Sequence, residues 1–249
     1  MIITPGNCET GGTAALLLAA ARNNAEWVAA VCRDGAFRGS VWSSVRRTPP
    51  LYPDAVSLTP QASAADVVDG IDTGSPGCSV KDSFASLDLA PAGFEVLFEA
   101  RWIHRPAGPA GRAAPGTEWS GVRTAAELGA WEAAWDGGAG AGLFHADLLA
   151  RDLVFLAGRS AGRIVAGAVA SAGGGVVGVS NLFTADGEDC DPAVQSTAVD
   201  AAWAAVLEAV AARWPGLPVV GYEQGEYLEA AVRAGFTPIG PLRVWLHTG

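Results

Sequence analysis

Apolar residues recur at spacings of three and four through Val199, Trp203, Val206, Leu207, Val210 and Trp214. Such a stripe predicts a long helix with one buried face. Asp191 stands at its N-cap, Pro192 suits its first turn and Gly216 ends it. Upstream the period changes. DLVFLAG (Asp152–Gly158), RIVAGAVASA (Arg163–Ala172) and VVGVSNLFT (Val176–Thr184) are apolar runs of strand length, separated by Arg-Ser-Ala-Gly and Gly-Gly-Gly. They predict a meander of antiparallel hairpins. Before them, TAAELGAWEAAW opens on Thr124 with Glu127 three residues on, the spacing of a capping box, and continues in a Leu128, Trp131, Trp135 stripe. After the long helix, LPVVGYE (Leu217–Glu223) reads as a buried strand. Reached through a helix, it is expected to pair parallel with its predecessor. A short helix over Glu226–Ala234 then ends at Gly235, suited to a left-handed cap, and LRVWLH forms the last strand.

The first hundred residues are patterned less regularly. They predict a helix over Thr13–Arg33 with Trp27 and Val31 on one face, a strand at DAVSL (Asp54–Leu58) and a helix in ASAADVVDGI. A strand at CSVKDSF follows, and then a long strand ending in ARWIHR. The stretch PAGPAGRAAPGTE (Pro106–Glu118) has no hydrophobic period and reads as a linker. The expected division is therefore an N-terminal domain over 1–105, a linker over 106–117 and a C-terminal domain over 118–249, each of ordinary domain size. An Ala-Gly-Phe that runs into Trp-x-His occurs in both halves, at Ala92–His104 and at Ala234–His247. The repeat suggests two copies of one α/β architecture with a mixed sheet, the first of them degraded.

Composition narrows the function. The formal net charge is −10 and Lys81 is the sole lysine, which opposes binding to nucleic acid, since that requires clustered Lys and Arg to neutralise phosphates. The longest apolar run, AALLLAAA (Ala14–Ala21), falls short of the roughly 20 residues of a membrane span. It also lacks the flanks of a secretory signal. A cytoplasmic protein without a membrane partner is expected, and the preference for Ala, Gly and Arg over Lys suits high-GC bacterial coding. Cys8, Cys32, Cys78 and Cys190 are widely spaced and far from His104, His145 and His247, so no metal site is expected. Ser160 and Ser180 sit in no Gly-x-Ser-x-Gly elbow, and there is no phosphate-binding P-loop. The tryptophans on helix stripes read as core, and His104 and His247 read as a repeated structural feature.

The element order of residues 119–247 resembles the GCN5-related N-acetyltransferase (GNAT) superfamily. The likeness is carried by the hairpin RIVAGAVASAGGGVVGVSNLFT and the closing segment AAVRAGFTPIG; the N-terminal part would then be a degenerate GNAT-like copy. The resemblance implies a mixed sheet flanked by helices in tandem arrangement, acetyl-CoA as cofactor, and transfer of an acyl group to a small-molecule amine. It implies that Asn181, Leu182, Phe183 and Thr184, at the end of a bulged strand, hold the acyl arm through their main chain, with Gln195 nearby. Glu223, at the end of LPVVGYE, would be the general base, and Tyr222 or Tyr227 the acid. Two departures accompany the likeness. The loop TADGEDCDPAVQSTA carries Asp186, Glu188, Asp189 and Asp191, no basic residue and only Gly187 for a phosphate cradle. Ala231 stands where the family's tyrosine would fall. An alternative reading therefore stays open: a non-catalytic GNAT-like binding or interaction module that has lost CoA binding.

Overall fold

The computed structural model describes residues 7–109, 116–139, 142–185 and 192–249. Within them the chain forms two compact units, one of residues 1–104 with 238–249 and one of residues 105–237. The last twelve residues, 238–249, group with the first unit.

The first unit begins with α1 (Asn7–Cys32), followed by the hairpin β1 (Gly35–Arg38) and β2 (Val41–Ser44). Then come β3 (Ala55–Ser57), the short α2 (Ala64–Val68), β4 (Ser79–Asp82) and the long β5 (Phe94–Arg105). The final strand of the chain, β11 (Thr237–His247), lies between β4 and β5, giving the order β1-β2-β3-β4-β11-β5. β11 runs antiparallel to β4, with Trp245 opposite Val80. Side chains alternate across the sheet. Val41, Ala55 and Val80 face α2 and pack with Val67, Phe94 and Trp245. On the opposite face Lys81 reaches Asn24 of α1, its Nζ donating to Oδ1 at 2.9 Å. The Trp-x-His endings of β5 and β11 therefore sit on neighbouring strands of one sheet.

The second unit contains β6 (Glu118–Gly121), α3 (Ala125–Trp135), a 3-10 turn (Ala146–Ala150), β7 (Leu153–Ser160), β8 (Arg163–Gly173) and β9 (Val176–Thr184). After these come α4 (Pro192–Arg213), β10 (Val219–Glu223) and α5 (Gly225–Arg233). The strand order is β10-β9-β8-β7-β6, with β6 to β9 antiparallel to their neighbours and β10 parallel to β9. The capping box forms as its spacing predicts: the Thr124 hydroxyl accepts from the Glu127 N–H, and the Glu127 carboxylate accepts from the Thr124 N–H. Those backbone donors hold the Glu127 carboxyl below its ordinary range. Thr124→Ala is expected to cost about 1 kcal/mol of unit stability, read from the urea midpoint. One face of the sheet packs on α3, where Trp131 is fully buried against Phe155 and Phe183 in edge-to-face contacts. Residues one step along, Ala166 and Thr184, face α4 instead.

The same succession occurs in both units: two antiparallel pairings, then a helix, then a strand parallel to the last. β1-β2-β3-α2-β4 corresponds to β7-β8-β9-α4-β10. Among the described residues no helix is long and apolar enough to cross a membrane, and no group of His, Cys, Asp and Glu could hold a metal ion. Cys32 and Cys78 are free thiols, and burial pushes Cys32 up to about 12.

Candidate functional site

In the second unit β9 carries an irregularity. Gly167 of β8 pairs with Phe183, whereas Val169 pairs with Ser180. Two residues of β9, Asn181 and Leu182, therefore oppose the single Ala168, which defines a β-bulge. Asn181 adopts φ 54°, a left-handed conformation that asparagine tolerates better than most side chains. The bulge bends the strand. Space for it comes from Gly167, where an added Cβ would lie 2.5 Å from the Phe183 ring and 2.6 Å from Trp131 Nε1.

The consequence lies on the other edge of β9. Its parallel pairing with β10 consists of two positions, Val177 with Val219 and Gly178 with Val220. Beyond them no position of Val179–Thr184 is paired with Gly221–Glu223, and these two mutually unpaired arms are called the V. The first unit has the corresponding junction, where β3 and β4 pair at Ala55 with Val80 and at Val56 with Lys81. There the mouth is stitched. The Ser83 N–H donates to Ser57 Oγ at 2.8 Å, and Ser57 Oγ lies 3.5 Å from Asp82 Oδ1. The Ser83 carbonyl accepts from the Trp102 indole at 2.7 Å, and Asp82 Oδ2 accepts from the Leu87 N–H at 2.8 Å. Aligning the two registers places Val179 where Ser57 stands and Gly221 where Asp82 stands. Neither has a side chain that can hydrogen-bond, so the stitch of the first unit cannot form in the second.

Glu223 ends β10 on the open arm. Desolvation pushes its carboxyl from an ordinary 4.5 up to about 8, and among the described residues the carboxylate has no hydrogen-bond or ion-pair partner. A carboxyl with these properties can take a proton near neutral pH. Tyr222 is half-buried and engaged with neighbouring groups. As the adjacent strand residue it points to the face opposite Glu223. Tyr227, on the first turn of α5, lines a groove of about 160 Å³ between α4 and α5 together with Gln195, Ser196, Val199 and Arg233. The structure thus brings Tyr227 and Gln195 together. Phe183 is a core residue, its ring 5.3 Å from that of Trp131, so only its backbone belongs to the V. The Thr184 hydroxyl is buried without a partner among the described residues, beside Ala198 and Ala202, and Ala231 is fully buried. The acidic residues Asp186, Glu188, Asp189 and Asp191 lie outside the described residues.

One feature of the groove leaves no trace in the sequence pattern. Arg233 of α5 grips Asp200 of α4 with Nε 3.1 Å from both carboxylate oxygens and Nη2 2.9 Å from Oδ1. Nη2 also donates to Ser196 Oγ at 2.9 Å. The Asp200 hydrogen bonds raise the guanidinium further above its ordinary value. Only the i, i+4 spacing of Ser196 and Asp200 on one helix face hints at a shared partner.

The two ends of an acyl-CoA molecule meet these residues differently. On the V, the β9 main chain beyond Gly178 has no paired partner on β10 that would compete for its hydrogen-bonding groups. Among the described residues that line the groove, the phosphate-bearing nucleotide finds no cluster of cations: Arg233 is bound to Asp200, and Glu226 and Glu229 are the other charged groups.

No family model matches the chain, and no curated protein matches it in sequence. Solved structures do. A GCN5-related N-acetyltransferase from Kribbella flavida superposes with a TM-score of 0.59 at 15% identity, over 92% of this chain and 96% of that one. A protein of the GNAT family from Novosphingobium aromaticivorans gives 0.54 at 14% identity, over 87% and 92%. A conserved protein of unknown function from Staphylococcus epidermidis gives 0.53 at 10%, over 70% and 73%. At these identities the likeness is one of fold. The chain has the GNAT fold, and the first two likenesses extend over nearly all of it.

Proposed function

We propose that the second unit is an N-acyltransferase that moves an acyl group from a thioester to a small amine, with Glu223 as general base. The observation that carries this reading is the V. β9 leaves β10 after two paired positions, and the unpartnered Glu223 carboxyl, raised to about 8, ends the diverging arm. In the step proposed, the amine nitrogen attacks the thioester carbonyl, the C–N bond forms and the C–S bond breaks. The amine proton passes to Glu223. Tyr227, rather than Tyr222 on the other face of the strand, protonates the departing thiolate. Main-chain N–H groups of the Asn181–Thr184 segment face the developing oxyanion, a contribution worth up to about 3–4 kcal/mol of barrier. The first unit, with its junction stitched by Ser57, Asp82 and Ser83, takes no part in the chemistry. The GNAT fold shared with the Kribbella flavida acetyltransferase supports the same class.

Thiol release from acetyl thioesters, measured across a panel of small primary amines, tests the proposal. Release that depends on the amine is expected; no release with any amine at millimolar thioester would overturn it. The rate is expected to rise with pH through about 8, because Glu223 must be ionised to accept a proton.

Stability carries the opposite pH dependence. A carboxyl whose folded-state pKa lies above its unfolded value binds a proton in the folded state alone between about 4.5 and 8. The fold is therefore expected to lose stability as pH rises through that window. Glu223→Gln should flatten the dependence and gain on the order of 2–4 kcal/mol at pH 8.5, read from denaturant midpoints.

A second reading, a GNAT-like module without catalysis that has lost CoA binding, is favoured by one observation: the only arginine among the described residues that line the groove is tied to Asp200 and Ser196.

A further inference from the structure

We infer that the thioester used at this site is recognised through its arm and not through nucleotide phosphates, so that an acylated pantetheine-type thiol, free of phosphate, is the better donor. The inference rests on the acyltransferase reading and specifies its donor. Three observations converge on it. The first is size: the α4–α5 groove, lined by the proposed acid Tyr227, encloses about 160 Å³, below the roughly 300 Å³ at which ligand pockets begin and too small for a nucleotide.

The second is charge within the described residues. Glu226 and Glu229 line the groove, and Asp200 stands on its α4 side. Among the described residues that line the groove the single cation is Arg233, whose Nε and Nη2 donate to Asp200 and Ser196. A phosphate that approached the remaining Nη1 donors would meet a guanidinium already neutralised by Asp200 and would stand beside that carboxylate. Exposed charges act over about 10 Å at 0.1 M salt, so the remaining carboxylates bear on any anion entering the groove.

The third is in the sequence. Between Arg163 and Arg213 there is no Lys or Arg, a stretch that spans β8, β9 and nearly all of α4. Phosphate recognition draws on clustered basic side chains or on a glycine-shaped nest of backbone N–H groups. Between Arg163 at the start of β8 and Arg213 at the end of α4 these elements carry no basic side chain, and the β9–α4 connection holds one glycine and four carboxylates. By contrast, an arm of amides and methylenes asks for main-chain partners and a hydroxyl or amide such as Ser196 and Gln195 provide.

The reaction balances without further reagents: the acyl thioester and the amine give the amide and a free thiol, with the amine proton carried by Glu223 and the thiol proton supplied by Tyr227. The test is calorimetric titration of the full chain with S-acetylpantetheine, acetyl-CoA and adenosine 3′,5′-bisphosphate. S-acetylpantetheine is expected to bind at least as tightly as acetyl-CoA, and the bisphosphate neither to bind nor to compete. Acetyl-CoA affinity should rise with added salt as the carboxylates are screened. In Glu226→Gln/Glu229→Gln the ratio of the two affinities should move toward acetyl-CoA by about fivefold. Acetyl-CoA binding about tenfold or more tighter than S-acetylpantetheine, with competition by the bisphosphate, would overturn the inference and leave the acyltransferase reading intact. Binding of neither thioester at millimolar concentration would overturn both.

Discussion

Glu223→Gln is expected to lower the acyl-transfer rate by about 10²–10⁴-fold, the usual contribution of a positioned general base, while the chain stays folded. The side chain keeps its size and loses only the ability to accept a proton. Its carboxyl sits beyond the last paired position of the two strands, without a partner among the described residues and pushed by desolvation to about 8. The loss should appear in the rate at saturation rather than in thioester affinity, since Glu223 acts on the amine. The pH profile supplies a second readout: the rise through pH 8 should vanish with the carboxylate. A variant that kept the wild-type rate and profile would remove Glu223 from the chemistry, whatever the fold.

The second large effect concerns stability. A chain ending at Thr237 lacks most of β11, the strand between β4 and β5 in the first unit. It removes Leu242, Val244 and Trp245, which are 0%, 6% and 5% exposed. At about 1.5–3 kcal/mol for each large apolar side chain buried, these alone amount to roughly 5–9 kcal/mol, comparable to the 5–15 kcal/mol that holds a domain folded. The pairing with β4, from Arg243 opposite Asp82 to Leu246 opposite Ser79, is lost as well. The first unit is therefore expected to unfold, seen as unprotected amides in β2, β3 and β4 by hydrogen exchange. Trp245→Ala gives a milder form, about 3–5 kcal/mol. Retained protection in the truncated chain would mean that the first unit closes without β11.

Much of the second unit is legible in the residues. The capping box at Thr124, the meander up to Thr184 and the stripe of α4 are local patterns, and each appears within a residue or two of its expected place. Two strands escaped because they are short and little patterned: Gly35–Arg38 and Val41–Ser44. The placement of β11 escaped for a different reason. LRVWLH reads as a strand, but which sheet it joins is decided by partners 160 or so positions away in the chain, and periodicity carries no such information. The functional features divide the same way. Glu223 is legible as a carboxylate at a strand end, while its missing partner and its desolvation are properties of the assembled sheet. The bulge at Asn181 depends on a register shift against β8. The grip of Arg233 on Asp200 joins residues 33 positions apart. The contrast between the stitched and open junctions needed both registers, since Ser57 and Val179 become comparable only once each strand pairing is known.

The central claim is that the parting of β9 from β10 is a binding site and that its counterpart in the first unit is not. Backbone amide chemical shifts followed during titration with S-acetylpantetheine test it most directly. The account predicts perturbations concentrated at Val179–Thr184 and Gly221–Glu223, with Ser57, Asp82 and Ser83 unmoved. Shifts confined to the first unit, or none in either junction at saturating thioester, would contradict it.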